Sequence, residues 1–351
     1  MNPFVIRGGE VSLLTVPLKN PFVTALGSKT ETTNAVVTLR LAGGARGTGE
    51  ASSSIVMKHQ SPEALARELA RLLTRLKGRD VSAREPLAAE IWALSGEIPA
   101  AACAFECAAL DALLNALGVR MSDWFGGALE SLETDLTLSA WPPEPTRDAA
   151  DTALRAGFRT LKIKVGTKDK AQDLARVCAA VAAARALGLR PGIILDGNQG
   201  FRAEGALRFA ERAARAGARV VLLEQPLPRE DLRGMAWLQK RSPAPVAADE
   251  SVRSPEDALR VIEARAAGVL NIKLAKTGVR GALDIAALAR AAGLKLMIGC
   301  MQETARGLSP SVHLACGLGA FSYCDLDSDA LLGPGQPRGE FRREGPLLHL
   351  E

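Results

Sequence analysis

Two lysines, Lys162 and Lys164, lie at alternate positions of an otherwise apolar stretch, residues 160–165. In an extended strand, alternate side chains point to the same side, so both ammonium groups would face one way and the apolar residues the other. Burying an ammonium group is costly unless an anionic group lies beside it. An edge strand with solvated lysines is one interpretation. A buried site that pairs these lysines with carboxylates is the other.

Acidic residues follow three further apolar runs at Asp196, Glu224 and Asp249. One such acid alone could simply cap the next helix. If the three follow consecutive parallel strands, their carboxylates converge and repel each other unless a cation lies among them. Carboxylate oxygens suit octahedral Mg²⁺, and the lack of neighbouring His and Cys argues against Zn²⁺. These acids are therefore predicted to be metal ligands.

The elements that must position these residues repeat along the chain. Short apolar runs alternate with helical segments rich in Ala and Arg, at a spacing of about 25 to 30 residues typical of strand–helix units. Eight such units predict a parallel β/α barrel with its active site at the carboxyl ends of the strands. An open doubly wound sheet is the alternative, but no glycine-rich phosphate loop follows the first strand. The predicted strands are residues 135–139, 160–165, 192–196, 219–224, 246–249, 270–273, 295–299 and 322–325.

Glycines mark the ends of four of the intervening helices. Each follows an alanine just before a predicted strand, where a left-handed C-cap is expected. The four positions are Gly157, Gly217, Gly268 and Gly293.

The chain is predicted to divide into an α+β capping domain at residues 1–125, the barrel at 126–330, and a tail at 331–351 that returns to the capping domain. In the first domain, strands precede helices, and a polar loop is expected at residues 19–34. The predicted helices cover residues 61–77, 85–94 and 101–117.

Composition excludes several classes of function. The chain has 47% hydrophobic and 24% charged residues, as in an ordinary globular protein, and no apolar run appears long enough to cross a bilayer. The net charge of +5 is scattered over helices without a basic aromatic patch, so neither nucleic acid nor membrane is an expected partner. Six cysteines stand singly in apolar contexts, which predicts buried thiols and a cytoplasmic location. The sequence leaves open whether the protein forms a homo-oligomer.

Strands 2 and 6 of an eight-stranded barrel lie on opposite sides, so Lys164 and Lys273 would face each other across whatever the metal holds. This arrangement suits removal of a proton from one face of a carbon and its return on the other. Lys162 and the metal would both lower the pKa of Lys164. Mg²⁺ on a substrate carboxylate would stabilise the ene-diolate that forms when the α-proton leaves.

The chain resembles the enolase superfamily, and in particular its muconate-lactonizing-enzyme subgroup, over nearly its whole length. The resemblance rests on the Lys-x-Lys of residues 162–164, the segments 196–200, 224–226 and 249–251, and residues 271–276. A Lys base with Mg²⁺ stabilising an ene-diolate is chemistry known for that superfamily. The seventh strand carries no histidine, unlike the mandelate-racemase branch. The resemblance implies an α/β fold, a modified (β/α)7β barrel with a capping domain; bases Lys164 and Lys273; Mg²⁺ ligands Asp196, Glu224 and Asp249; and supporting residues Asn198, Glu250 and Glu303.

Asp325 and Asp327 at the end of the last strand resemble a pair that binds the terminal ammonium group of the substrate in dipeptide epimerases. Residues 299–304 resemble the seventh-strand segment that lines the substrate pocket of those enzymes. The resemblance implies Mg²⁺-dependent epimerisation of an L,L-dipeptide at its C-terminal residue by two-base 1,1-proton transfer. The implied substrate-binding residues are Thr137, Lys162, Cys300, Gln302, Asp325, Asp327 and Gly27.

Other reactions of the same scaffold stay open: N-acylamino-acid racemisation, o-succinylbenzoate synthesis and muconate cycloisomerisation. None of those substrates offers an ammonium group to the two aspartates. A non-catalytic binding barrel is a remote alternative, because such a protein would more naturally have lost a metal acid or a lysine.

The capping loop departs from one pattern in the family. Epimerases acting on L-Ala-L-Glu resemble Pro-Phe-x-Thr-Ala-Leu-Arg there, and their arginine pairs with the glutamate side chain. This chain has Gly27 at the arginine position and Lys29 two residues later. A flexible ammonium matches a carboxylate less well than a guanidinium does. A neutral or apolar second residue is therefore expected in the substrate.

Overall fold

The computed structural model describes residues 2–24, 27–53, 60–95 and 97–351. An antiparallel three-stranded sheet opens the chain in the order β1-β2-β3. Three helices follow it, and their apolar faces share a core with the sheet. Ser61 caps the first helix by accepting a hydrogen bond from the backbone of Ala64. The elements are β1 (Ile6–Thr24), β2 (Gly27–Leu41), β3 (Arg46–Ala51), α1 (Pro62–Arg75), α2 (Arg84–Ser95) and α3 (Pro99–Leu117).

The polar loop predicted at residues 19–34 is wrong. Much of this segment is the outer part of a long β-hairpin, in which Phe22 pairs with Lys29 and Thr24 with Gly27. Its many Thr and Ser residues suggested a loop, but Thr is also compatible with strands, and pairing between the two arms satisfies the backbone. Ala25 and Leu26, at the turn of the predicted specificity loop, lie outside the described residues.

The predicted barrel is confirmed. After α4 (Met121–Phe125) and β4 (Ser131–Glu133), eight parallel strands form one sheet in sequential order. The first and last strands are joined where the backbone N–H of Asp135 donates to the carbonyl of Cys324, 3.0 Å away. The strands are β5 (Leu136–Leu138), β6 (Thr160–Lys164), β7 (Gly192–Asp196), β8 (Arg219–Glu224), β9 (Val246–Ala248), β10 (Val269–Ile272), β11 (Lys295–Gly299) and β12 (Phe321–Asp325).

Seven helices cover the barrel, and apolar side chains from β7 to β11, such as Ile194 and Met297, form a cluster in its interior. Gly157, Gly217 and Gly293 have the positive φ expected of C-caps. Gly268 does not, because its helix ends earlier, at Glu263, and Arg265 takes the left-handed conformation with φ 50°. The helices are α5 (Pro143–Arg155), α6 (Lys170–Ala186), α7 (Ala203–Arg215), α8 (Leu232–Gln239), α9 (Pro255–Glu263), α10 (Leu274–Ala291) and α11 (Ala305–Leu318).

The prediction that no apolar run is long enough to cross a bilayer is wrong for one helix. Helix α3 is long and apolar enough by composition. Most of it is buried, however, and it packs against β3 on one side and α10 on the other. Its apolar character therefore belongs to the junction between the cap and the barrel.

The tail runs along both parts of the molecule. After α12 (Ser328–Leu331), the N–H of Gly333 donates to the carbonyl of Pro17 on the cap hairpin, 2.7 Å away. The strand β13 (Phe341–Glu344) then pairs with β14 (Leu347–Leu350), which in turn pairs with β4.

Candidate active site

Lys162 points into the barrel and is 1% exposed. Its Nζ lies 3.1 Å from Asp196, 2.8 Å from Glu224 and 2.6 Å from Asp325. A solvated edge strand is excluded, because β6 has a neighbour on each side and this ammonium group is enclosed by three carboxylates. The cost of burying the cation is offset by these ion pairs.

Lys164 and Lys273 are held on different strands. Lys164 Nζ donates to Asp196 Oδ2 at 2.6 Å from the end of β6. Lys273 follows β10 directly, and its Nζ lies 2.9 Å from Asp249 Oδ2. Since β6 and β10 are four places apart in an eight-stranded barrel, the two lysines approach the cavity from opposite sides. This is the arrangement that a two-face proton transfer requires.

The three predicted metal acids are deeply buried together and differ in their acidity. Burial and the neighbouring Asp196 raise the pKa of Glu224 to about 8. Burial opposes ionisation of Asp196 as well, but Lys164 and Lys162 outweigh it and lower that pKa to about 2. Burial likewise acts on Asp249, where Lys273 and Lys276 lower the pKa below its usual range. The carboxylates repel each other and are balanced by lysines.

The oxygen donors at this end of the barrel fit a hard divalent cation. Among the described residues, the buried side-chain oxygens without a hydrogen-bond donor include Asn198 Oδ1, Glu250 Oε2 and Glu224 Oε2, the last of which has the Lys162 ammonium group 2.8 Å away. All sit on the segments that carry Asp196, Glu224 and Asp249. Carboxylate and amide oxygens without His or Cys suit Mg²⁺. The residues present therefore fit the predicted metal.

The loops after β7 and β8 hold their shape through backbone conformations that are uncommon for residues other than glycine. Asn198, Gln199 and Gln225 have φ of 39°, 68° and 30°. Such conformations persist only where the surroundings impose them, often at functional sites. The Gln225 side chain accepts hydrogen bonds from the N–H groups of Asp249 and Ser251, at 2.8 and 3.1 Å.

Gln225 and Lys276 were not predicted as site residues, although both lie inside motifs quoted from the sequence. Lys276 Nζ donates to both the carbonyl and Oδ1 of Asp249, each at 2.6 Å. Their direct contacts with a predicted metal ligand depend on how the strand-end loops fold back, which a linear motif does not show.

Asp325 and Asp327 lie together at the end of β12, beside Thr137 on β5. The Thr137 N–H donates to Asp327 at 2.6 Å, and its hydroxyl lies 3.4 Å from Asp325. Burial and Asp325 raise the pKa of Asp327 to about 6. Asp135 was not predicted as a site residue, but it forms a cluster with this pair. One oxygen from each of Asp135, Asp325 and Asp327 lies within 4.8 Å of the others. Asp135 is buried behind the pair and has no hydrogen bond to its carboxylate among the described residues.

A cavity of about 740 Å³ lies over the strand ends and under the cap. Most predicted site residues line it. Asp196 and Glu224 are fully buried beneath the cavity floor. Gly27 and Glu303 are not among the lining residues. Burial raises the pKa of Glu303 to about 8. The predicted residues that line it are Thr137, Lys162, Lys164, Asn198, Asp249, Glu250, Lys273, Cys300, Gln302, Asp325 and Asp327.

The cap supplies the cavity roof. Phe22 lies over Lys164, with 5.9 Å between its ring centre and Nζ. Lys29, its partner across the hairpin, also lines the cavity, and its Nζ bonds to the Thr32 hydroxyl at 3.1 Å and the Ser53 carbonyl at 3.4 Å. Burial lowers the pKa of Lys29 to about 8. Apolar roof and wall residues include Phe22, Trp92, Pro99, Met301 and Leu331.

The carbonyl of Gln302, just after β11, anchors the cap to the barrel. It accepts hydrogen bonds from Asn34 at 2.8 Å and Ser52 at 3.0 Å. Glu50 adds a second link, since its carboxylate accepts from the N–H and hydroxyl of Thr304 at 2.9 and 2.5 Å. The half-buried Cys300 lies at the same strand end, so not all six free cysteines are buried as predicted.

A parallel barrel with paired lysines and acids at its strand ends, roofed by an α+β cap, defines the enolase class of enzymes. Residues 145–345 match the family described as enolase C-terminal domain-like, and residues 9–126 match the mandelate racemase / muconate lactonizing enzyme N-terminal domain. The chain belongs to the mandelate racemase / muconate lactonizing enzyme family of the enolase superfamily.

Several relatives and solved structures similar to this chain are named dipeptide epimerases. The chain is 38% identical to an aromatic dipeptide epimerase of Herpetosiphon aurantiacus, over 99% of this chain and 97% of that protein. The substrate-liganded L-Ala-D/L-Glu epimerase of Bacillus subtilis matches with a TM-score of 0.94 and 32% identity, covering 99% and 96% of the two chains. A dipeptide epimerase of Enterococcus faecalis, complexed with Mg and L-Leu-L-Tyr, matches at 0.89 and 29%, covering 99% and 97%.

Proposed function

We propose that this protein is a dipeptide epimerase that inverts the α-carbon of the C-terminal residue of an L,L-dipeptide. The observation that carries the proposal is the placement of Lys164 and Lys273 on opposite sides of one cavity, with a buried pair of aspartates at its edge. The named reactions of the relatives support it.

The two lysines act on opposite faces of the substrate. One begins as a neutral amine and takes the α-proton from the carbon, while the other begins as an ammonium and gives its proton to the opposite face. Asp196 and Asp249 orient the two Nζ atoms at 2.6 and 2.9 Å. The reverse reaction exchanges the roles, so the site serves both stereoisomers.

Asp196, Glu224 and Asp249 are the residues that would hold Mg²⁺, with Asn198 and Glu250 beside them. The convergence of these acids, together with buried oxygens of Asn198, Glu224 and Glu250 that have no hydrogen-bond donor among the described residues, supports this assignment. When bound, the ion supplies positive charge next to the substrate carboxylate, which makes the neighbouring carbon more acidic. Gln225 and Asn271 orient the ligands: Asn271 Nδ2 donates to Glu224 Oε1 at 3.0 Å.

Asp325 and Asp327 would bind the free ammonium group of the dipeptide. They are buried, so a charge-assisted bond to them is stronger than one in water. N-acylated amino acids, o-succinylbenzoate precursors and muconate have no ammonium group to offer. This pair therefore favours the dipeptide over the other reactions of the scaffold.

The cavity favours a neutral or apolar side chain on the residue that is inverted. Phe22, Trp92, Pro99 and Met301 give it a largely apolar roof and wall. With Gly27 at the arginine position, the chain lacks the guanidinium that pairs with glutamate in the L-Ala-L-Glu enzymes. Lys29 is the cation nearest to that position along the hairpin, and it bonds to neutral oxygens only, among the residues described.

The test is exchange of the α-proton with solvent. Free L,L-dipeptides and their N-acetylated counterparts are incubated with the enzyme and Mg²⁺ in D₂O, and deuterium at the C-terminal α-carbon is read by mass spectrometry. We expect deuterium and the L,D product from free dipeptides with apolar second residues. Better turnover of the N-acetylated compounds would overturn the proposal in favour of an N-acylamino-acid racemase.

We also propose a cytoplasmic location, which the six free cysteines support, since unpaired thiols are typical of reducing compartments. Fractionation of the source cells tests this. Recovery of the protein outside the cytoplasmic fraction would contradict it.

A further inference from the structure

Arg176, on α6, is a fully buried arginine outside the cavity. Its Nη1 donates to Asp173 Oδ1 at 2.9 Å on the same helix, and to the carbonyl oxygen of Lys164, also at 2.9 Å. Its Nε donates to the carbonyl oxygen of Trp141 at 2.6 Å. The guanidinium therefore joins the backbone of β6, at the lysine itself, to the segment that follows β5.

Asp173 extends the same contact to the residues after Lys164. Its Oδ2 accepts from the N–H groups of Gly166 and Thr167, at 2.8 and 3.0 Å, and its Oδ1 accepts from the Thr167 hydroxyl at 2.6 Å. The pair thus holds the backbone on both sides of Val165. Small rotations of this backbone would move the Lys164 ammonium group relative to the cavity.

Trp141 carries the contact upward to the cap hairpin. Its indole N–H donates to the carbonyl of Pro21 at 2.7 Å, and the N–H of Ala140 donates to the carbonyl of Val23 at 2.8 Å. Pro21 and Val23 flank Phe22, whose ring lies over Lys164 Nζ. One guanidinium therefore fixes both the backbone of this lysine and the segment that anchors its aromatic cover.

Stability alone does not explain this arginine. Its Nη2 is buried with no acceptor among the described residues. Removing an arginine from water is costly, and a buried ion pair is often no more stable than apolar side chains of the same size. A buried arginine with one unsatisfied nitrogen suggests a role in geometry.

Lys273, on the opposite side, has no arginine on its carbonyl among the described residues. Its carbonyl accepts from the N–H groups of Lys276 and Thr277 in the first turn of α10, at 2.8 and 3.3 Å. The two lysines are therefore held by different devices: one by a buried arginine from a neighbouring helix, the other by the start of its own helix.

We propose that Arg176 is a positioning residue for Lys164 and so governs proton transfer on one face of the substrate only. The inference rests on the proposed epimerase function. A misplacement of about 1 Å can cost on the order of 100-fold in rate. Loss of Arg176 is expected to slow the step that uses Lys164 and to leave the Lys273 step largely intact.

The chain offers a matched control in Arg343. It pairs with Asp329 and donates through Nη2 to the carbonyl of Leu326 at 2.7 Å, between the two predicted ammonium-binding aspartates. It is also largely buried and bonded to a strand-end carbonyl, but it supports substrate binding instead of a base. Its loss is expected to raise KM for both stereoisomers to the same extent.

The experiment measures α-proton exchange into D₂O separately from the L,L- and L,D-dipeptide, under saturating substrate and Mg²⁺. Lys164→Ala and Lys273→Ala first show which stereoisomer depends on which lysine. Arg176→Met is then compared with Arg176→Lys and Arg343→Met, with circular dichroism and Tm as checks of folding. We expect Arg176→Met to slow exchange from the Lys164-dependent stereoisomer by about 10- to 100-fold. Arg176→Lys should recover part of that loss.

Equal slowing of both stereoisomers by Arg176→Met or Arg176→Lys, or no slowing, would overturn the inference. If Arg176→Met does not fold, the ratio of the two exchange rates in Arg176→Lys decides the matter alone: a shifted ratio supports the inference and an unchanged ratio refutes it. Absence of any exchange in the unmutated enzyme would instead refute the epimerase function.

Discussion

The strand ends of the barrel and the cap hairpin above them face the same cavity but are built differently. At the strand ends, Lys162, Lys164 and Lys273 each have a carboxylate within 3.1 Å, and all are buried. On the hairpin, Phe22 offers an aromatic face, and the partners of Lys29 among the described residues are neutral oxygens. The chemistry is therefore expected to depend on the barrel, and the choice of substrate side chain to depend largely on the cap.

The strongest test of the barrel side removes a base. Lys164→Ala and Lys273→Ala should each abolish epimerisation, a loss of at least about 10²–10⁴-fold, because the reaction needs a proton carrier on each face. Each variant should still exchange the proton of the stereoisomer that faces its remaining lysine. Product formation is followed by polarimetry or chiral chromatography. Full epimerase activity in either variant would contradict the two-base assignment.

The metal assignment comes next in expected effect. Asp249→Asn should lose Mg²⁺ affinity and activity together, each by more than about 10- to 100-fold, because two carboxylates hold the ion and substrate less well than three. Calorimetric titration with Mg²⁺ and initial rates across Mg²⁺ concentrations measure both. Activity that survives exhaustive chelation of the unmutated enzyme would show that the metal is not needed.

The ammonium site should give a smaller but selective loss. The double variant Asp325→Asn, Asp327→Asn should turn over dipeptides more slowly. The loss, expressed as a free energy, should exceed the contribution of an exposed ion pair, which is about 1 kcal/mol or less. The bonds are partly desolvated, so the loss should appear mainly in kcat/KM for free dipeptides. An N-acetylated dipeptide is the control, and its residual turnover should change little. Equal losses for both substrates would contradict the ammonium role.

The cap side is expected to give the smallest effect. The kcat/KM for L-Ala-L-Leu and L-Ala-L-Phe should exceed that for L-Ala-L-Glu, and L-Ala-L-Lys completes the comparison. Gly27→Arg should raise the value for L-Ala-L-Glu by about tenfold, since a bidentate pair is worth more than about 1 kcal/mol. A clear preference for glutamate in the unmutated enzyme would show the inference wrong. Lys29→Ala should then remove that preference.

The barrel and its central residues could be predicted because each strand repeats one simple pattern, an apolar run closed by a charged residue. Parallel strands bring those closing residues to one edge, so Asp196, Glu224 and Asp249 could be grouped without knowing any contact. The prediction of the fold rests on this regularity.

The hairpin was harder to predict because its residues satisfy two patterns at once. Residues 19–34 are polar like a loop and rich in Thr like a strand, and only pairing between the two arms decides. Arg176 and Asp135 were not predicted from the sequence, for a related reason. Whether a helical arginine turns inward, or a third aspartate lies behind two others, depends on how elements pack, and that information is spread over residues distant in the sequence.

The carbonyl of Gln302 fastens the cap to the barrel at the base of the hairpin, away from its tip. Its donors, Asn34 and Ser52, lie below the tip that carries Phe22 and Lys29. Substitutions at the tip can therefore accumulate without loosening the seat of the cap on the catalytic end of the barrel. A new dipeptide preference is therefore expected from exchange of a few tip residues, with the residues at the strand ends left as they are.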